Sequence, residues 1–261
     1  MRTTERVMGT VFVVETPEKT NEAVVDEVFR WFDWVERMFS VHRVDSEISR
    51  IDRGELDLDT CDPQVRGVLT RCEGLRERSG GAFEHRSAGR RLDPSAFVKG
   101  WSVDRAGLIL RLAGVDTWRV NAGGDVLCSL RSSGSPSTRV GLRHPEHPHQ
   151  IAAVLTIANG AVATSGEYER GAHMWGCHEG KTLRSVSVVG PELGVADALA
   201  TALFVAGEPA PPWMDRFPGY GVLALTDEEC IWTADLDGRL IAPSPRRRLQ
   251  RRAESVGRGV P

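Results

Sequence analysis

The segment Gly194–Gly207 limits the fold more than any other part of the chain, because apart from Asp197 and Thr201 it is apolar all round. A helix without a polar face has to be buried, so Val195–Ala206 is expected as an internal helix with other layers built around it. It falls short of the roughly 18 apolar residues that a membrane helix needs, and no other stretch comes closer. A membrane span is therefore excluded. With 261 residues, 41% of them hydrophobic, the chain is long enough for one large core.

Periodicity supplies the surrounding elements. Residues 7–14 alternate as a strand, and Thr20–Phe39 places Val24, Val25, Val28, Phe32, Val35 and Phe39 at helical spacing. A second helix starts at Asp62-Pro63 and runs to Arg78, where Ser79-Gly80-Gly81 stops it; a third covers Lys99–Leu112. Strands are expected at Trp118–Asn121, Val126–Leu130, Thr138–Leu142, Ile151–Ile157, Ala161–Ala163 and Ser185–Val189. Gly221–Leu225 with Glu229–Ala234 reads as a closing hairpin. Runs of strands between a few long helices indicate an α+β or mixed α/β domain over residues 1–242, without internal repeats.

The five cysteines are odd in number, widely spaced and lack a Cys-x-x-Cys pair, so they suggest neither a disulfide framework nor a zinc site. The N-terminus shows no charged region leading into an apolar one, which makes the cytoplasm the expected location. Net charge is −3, yet the last sixteen residues hold six arginines against one glutamate. This basic tail, within residues 243–261, has no aromatic residue to stack on bases and no apolar period, so a disordered end is expected rather than a nucleic-acid contact.

Four clusters carry the chemistry. Asn121-Ala122-Gly123-Gly124-Asp125 joins paired glycines to an acid, which suits either close backbone approach to a ligand or a plain hairpin. Asp93-Pro94-Ser95 leads to Lys99 at a helix start, where free amides and an ammonium attract phosphate. Lys99 stands out because the chain has three lysines against 30 arginines. Thr164-Ser165-Gly166 offers hydroxyls that bind phosphate or hold a turn, and His173 beyond it is either a general base or a surface residue. Asp197 and Thr201, four apart on a helix, project their oxygens from one face. A carboxylate in such an apolar helix calls for a partner or a metal, and hard oxygens suit magnesium; the alternative is a helix cap with Thr201 bonding back to a carbonyl.

In this order the clusters resemble the ApbE family, the FAD:protein FMN transferases. The likeness extends through Met8-Gly9-Thr10, Phe39-Ser40, Asp45–Ile51, Ser79–Phe83, Lys99-Gly100 with Asp104, Asn121–Asp125, Thr164–Gly166 with Tyr168-Glu169-Arg170, His173, and Ala196–Thr201. It implies an α+β domain of largely antiparallel sheets flanked by helices. It also implies an enzyme that splits FAD, moves FMN to a threonine or serine hydroxyl of an acceptor protein and releases AMP. By the same resemblance, Asp197 and Thr201 hold magnesium with main-chain help from Val98 and Ala200, and His173 activates the attacking hydroxyl. FAD contacts fall to Met8, Ala82, Phe83, Ser95, Lys99, Trp101, Gly124, Asp125, Thr164 and Ser165. An FAD pyrophosphatase, giving FMN and AMP with water as acceptor, and a non-catalytic FAD-binding protein remain as alternatives.

Overall fold

A computed structural model describes residues 1–86, 89, 91–130, 137–147, 149–166, 183–227 and 229–241, together with the backbone of 246–249. The helices among them are α1 (Glu22–Phe39), α2 (Glu47–Asp52), α3 (Pro63–Arg78), α4 (Ser95–Leu112) and α5 (Leu193–Ala206). The strands in chain order are β1 (Arg2–Val7), β2 (Thr10–Glu15), β3 (Thr117–Ala122), β4 (Asp125–Leu130), β5 (Thr138–Arg143) and β6 (Ile151–Ile157). They continue with β7 (Asn159–Gly166), β8 (Leu183–Gly190), β9 (Gly221–Thr226), β10 (Cys230–Thr233), β11 (Leu240–Ile241) and β12 (Arg246–Leu249). Nine strands form one sheet in the order β1-β2-β3-β4-β7-β8-β9-β10-β12, and β11-β6-β5 form a second, small sheet. All pairings are antiparallel except β10 with β12.

Alternation along the central strands sorts side chains between two cores. Leu127, Ala161, Ala163, Val186 and Val188 join the helical core, whereas Val126, Cys128, Val162 and Val189 pack with Val140, Leu142 and Leu155 of the small sheet. The main sheet is thus covered by helices on one face and partly by β5 and β6 on the other. Asp125 shares the parity of Leu127 on β4, and Ser165 that of Ala163 on β7. Both positions therefore belong to the helix-facing side.

The apolar segment is the expected internal helix: in α5, Leu193, Ala196, Ala198, Leu199, Ala200 and Leu203 have no exposed surface. It crosses α4 at two glycines. A Cβ on Gly100 would meet the Leu193 carbonyl oxygen at 2.5 Å, and one on Gly194 would lie 2.9 Å from the Trp101 nitrogen. No side chain of α5 caps its own start. Asp104 of α4 does so instead: its two carboxylate oxygens accept from Leu193 N at 2.7 Å and Gly194 N at 2.9 Å. Orphan donors of one helix are satisfied by its neighbour, which fixes the crossing.

The structure departs from the sequence reading at specific places. The single strand expected over residues 7–14 is the hairpin β1–β2, turned by Met8 and Gly9 with φ of 51° and 73°. Its signal is hidden because a methionine occupies a left-handed turn position that Asn or Gly usually fills. Helix α4 starts four residues before Lys99, since Pro94 stands at its N-cap and Asp93 Oδ1 accepts from Ser95 N at 3.1 Å. Helix α2 is too short for periodicity to reveal and is held by Ser46, whose hydroxyl accepts from Ser49 N at 3.1 Å. Within the tail expected to be disordered, Arg246–Leu249 pair in parallel with Cys230–Thr233; residues 250–261 lie outside those described.

Gly100→Ala is expected to lower stability by about 1–3 kcal/mol, because the obstacle is main chain that cannot step aside; thermal melting followed by circular dichroism measures this. For Asp104, burial pushes the carboxyl up to about 6 from 3.8, against the pull of its two main-chain donors. A raised carboxyl contributes stability that is complete below about pH 4 and is lost as pH rises through about 6. Asp104→Asn should accordingly flatten the pH dependence of the urea midpoint across that interval.

Candidate active site

A cleft of about 950 Å³ opens where the ends of several elements meet. Its walls are the β1–β2 turn (Met8, Gly9, Thr10), the end of α1 and the following loop (Glu36, Phe39 to Arg43) and the start of α4 (Ser95, Val98, Lys99). The β3–β4 turn (Gly123, Gly124), Arg119 and Asn121 of β3, Arg139 to Arg143 of β5, and Thr164 complete it. This volume lies at the upper end of the range for small-molecule sites.

Two turns are locked against each other at the mouth. Gly123 and Gly124 have φ of 64° and 111°, and Gly123 N donates to Val11 O at 3.0 Å. A Cβ on Gly123 would strike Thr10 Oγ1 at 2.6 Å, so the turn needs glycine for both conformation and space. Asn121 Oδ1 accepts from Gly124 N at 3.0 Å and closes the loop. Opposite, Met8 holds a positive φ and donates its N–H to Glu36 Oε2 at 3.2 Å, tying the hairpin to α1. Strain of this kind in a non-glycine residue gathers at functional sites.

Behind the cleft lies an ionic group contributed by three elements. The Lys99 ammonium of α4 stands 2.5 Å from Asp125 Oδ2 of β4 and 3.6 Å from Asp197 Oδ2 of α5. Asp125 has no exposed surface and Asp197 1%, whereas the lysine side chain keeps 22%. Asp125 Oδ1 accepts from Thr164 N at 2.9 Å, and Thr164 Oγ1 lies 2.8 Å from Ser187 Oγ. One turn along α5 from Asp197, Thr201 Oγ1 is 3.2 Å from Ser165 Oγ. With both carboxylates ionised, the group carries one net negative charge beside several hydroxyls.

That donor set is one a hard cation accepts. Among the described residues no cluster of three or more His, Cys, Asp or Glu side chains occurs, which leaves two carboxylates and neutral oxygens. Magnesium is typically held in this way, by one or two carboxylates with the remaining positions filled by water and substrate phosphate. Asp197 and Thr201 fit it as neighbours on one helix face, with Asp125 and Ser165 alongside.

Of the residues named from sequence, Met8, Ser95, Val98, Lys99, Gly124 and Thr164 line the cleft. Asp125, Ser165, Asp197 and Thr201 gather behind it. Phe83 and Trp101 are core residues: Phe83 N donates to Ser79 Oγ at 2.9 Å, and Trp101 packs edge-on against Trp31 and Phe39, each at 5.4 Å. Phe39 lines the cleft, with Trp101 packed against it. Ala82 is half-buried against the helical core, and Ala200 lies inside α5, in the helical hydrogen-bond ladder. His173 lies outside the described residues. Sequence reading missed Arg119, Arg139 and Arg143, because alternation marks β3 and β5 as strands without saying that their polar sides face this cleft.

The sequence matches the ApbE family over residues 8–89 and 84–223. The chain belongs to the ApbE family. A relative named FAD:protein FMN transferase from Rhodobacter capsulatus is 35% identical over 164 residues, which are 58% of this chain and 31% of that protein. Another of the same name, from Treponema pallidum, is 30% identical over 64% of this chain and 54% of its own length. The matches thus span between about a third and about a half of these relatives. Among solved structures, the ApbE protein of Thermotoga maritima superposes with a TM-score of 0.72 at 20% identity, covering 87% of this chain and 94% of that one. The flavin transferase ApbE of Vibrio cholerae gives 0.71 at 19% identity, with coverages of 94% and 97%. These ApbE structures share the mixed helix and antiparallel-sheet fold. No helix among the described residues is long and apolar enough to cross a membrane.

Proposed function

We propose that this ApbE protein is a magnesium-dependent FAD:protein FMN transferase, which moves the FMN half of FAD to a threonine or serine hydroxyl of an acceptor protein and releases AMP. The observation that carries this reading is the Lys99–Asp125–Asp197 group at the back of a cleft roomy enough for a dinucleotide. The names of the sequence relatives support the same activity.

Each part of the site has a task in this reaction. The two turns grip the flavin-bearing substrate, Met8 from one side and Gly124 from the other, while Ser95 and Thr164 offer a hydroxyl and main-chain groups. Asp197 and Thr201 would hold magnesium, aided by the carbonyls of Val98 and Ala200. The ion, when bound, offsets the negative charge that builds on the pyrophosphate oxygens. Lys99 supplies a positive charge at the boundary between the buried carboxylates and the cleft. His173 is assigned the removal of the acceptor's hydroxyl proton. The acceptor oxygen then attacks the FMN phosphorus, a new P–O bond forms, the anhydride P–O bond breaks, and AMP leaves with the electron pair. Buried donors fixed before the reaction stabilise that charge without reorganising, which is where most of the rate comes from.

Incubation with FAD, magnesium and a peptide carrying an acceptor threonine tests the reading. AMP release together with a peptide heavier by FMN is the expected result. AMP with free FMN would instead mean hydrolysis, and bound but intact FAD would mean a flavin carrier. Asp197→Ala should reduce transfer by about a hundredfold or more, while the circular dichroism spectrum stays native, since alanine suits a helix interior. Met8→Asn is expected to relieve the strained turn, raising stability by about 1 kcal/mol, and to weaken FAD binding measured by fluorescence quenching.

A further inference from the structure

Lys99 belongs to a chain that uses arginine ten times as often as lysine, and its ammonium stands where the two buried carboxylates need a cation. Ionised carboxylates so far out of solvent demand a counter-charge, with or without metal. The ammonium provides one, at 2.5 Å from Asp125 and 3.6 Å from Asp197. A magnesium ion seated at the usual ~2.1 Å from Asp197 Oδ2 would lie within about 6 Å of the Lys99 nitrogen if that nitrogen stayed in place. Two cations that close repel strongly in partly buried surroundings. The lysine has somewhere to go, because its side chain borders the open cleft.

We propose that Lys99 is the resident cation of this site and that a divalent metal binds by exchange, displacing the ammonium from Asp125 and Asp197 into the cleft, where it meets a substrate phosphate. The inference rests on the reading of Asp197 and Thr201 as magnesium ligands and deepens it by naming what the metal must replace. Exchange keeps the carboxylates compensated in the metal-free protein, so the site stays assembled. It also couples the two ligands, since the phosphate-seeking charge is delivered only when metal is present. Such coupling is reciprocal: bound pyrophosphate, by drawing Lys99 outward, tightens the metal.

The lysine content makes the exchange measurable in the native protein. Lys99 and the exposed Lys19 fall on different tryptic peptides, so acetylation by a water-soluble N-hydroxysuccinimide ester can be followed at each by mass spectrometry. The reagent has to reach the amine, and an ammonium held against two buried carboxylates presents less of itself than one that has swung into the cleft. In FAD-free protein, saturating magnesium should raise acetylation of Lys99 about tenfold relative to Lys19. Titration calorimetry should show Lys99→Met binding magnesium about tenfold more tightly than the unchanged protein, because no ammonium competes. If magnesium binds yet Lys99 reactivity stays flat, or the variant binds no more tightly, the exchange is overturned and the transferase reading stands. If neither protein binds magnesium, the exchange and the magnesium reading fall together. Should Lys99→Met not fold, the labelling of native protein decides alone.

Discussion

Two carboxylates that water does not reach, on β4 and α5, share one ammonium from α4, and the rest of the architecture can be understood as what keeps those three groups together. An unpaired buried charge costs several kcal/mol, a large part of a domain's net stability. The residues that form this group are therefore coupled: moving either helix relative to the sheet draws the Lys99 ammonium away from one of the two carboxylates. That makes the helix crossing and the β4 register matters of electrostatics as much as of packing.

The fold meets this demand with small residues and with strand parity. Glycines at 100 and 194 let α4 and α5 touch backbone to backbone one residue beyond Lys99 and three before Asp197, so the lysine and the aspartate project from the same junction. Asp104 locks that junction from the next turn of α4 by capping α5. On the sheet, alternation sends Asp125 to the helix side and its neighbour Val126 to the small-sheet side. The Gly123-Gly124 turn that precedes Asp125 is pinned to the β1–β2 hairpin by a main-chain bond to Val11. The cleft-facing loop and the buried charge are consequently parts of one strand end, the arrangement a preorganised site requires.

Much of this is legible in the sequence alone. The apolar run of residues 194–207 announced a buried helix, and the misfit of Asp197 within it marked a candidate site, because burial of a carboxylate has few explanations. Asp125 could be singled out by its glycines but not joined to Lys99, since nothing local to either records that β4 and α4 meet. Trp101 is the opposite case: the resemblance names it as an FAD contact, and nothing local to it records that it packs edge-on against Phe39, which lines the cleft. The turn at Met8 was hidden for a third reason. A left-handed turn is normally signalled by the residue that tolerates it, and here the residue was kept despite the strain.

The choice of lysine at position 99 follows from the same geometry, in a chain whose other cations are nearly all arginine. A guanidinium is a flat fork that binds a carboxylate through two parallel bonds, and between Asp125 and Asp197 it would be held bidentate and hard to remove. An ammonium is a compact point charge on a flexible stem, able to sit between two single oxygens at 2.5 and 3.6 Å and to swing outward about its own side-chain torsions. Arginine would make a permanent strut of this position. Lysine makes a counter-ion that holds the two carboxylates together and can still be given up to a stronger cation.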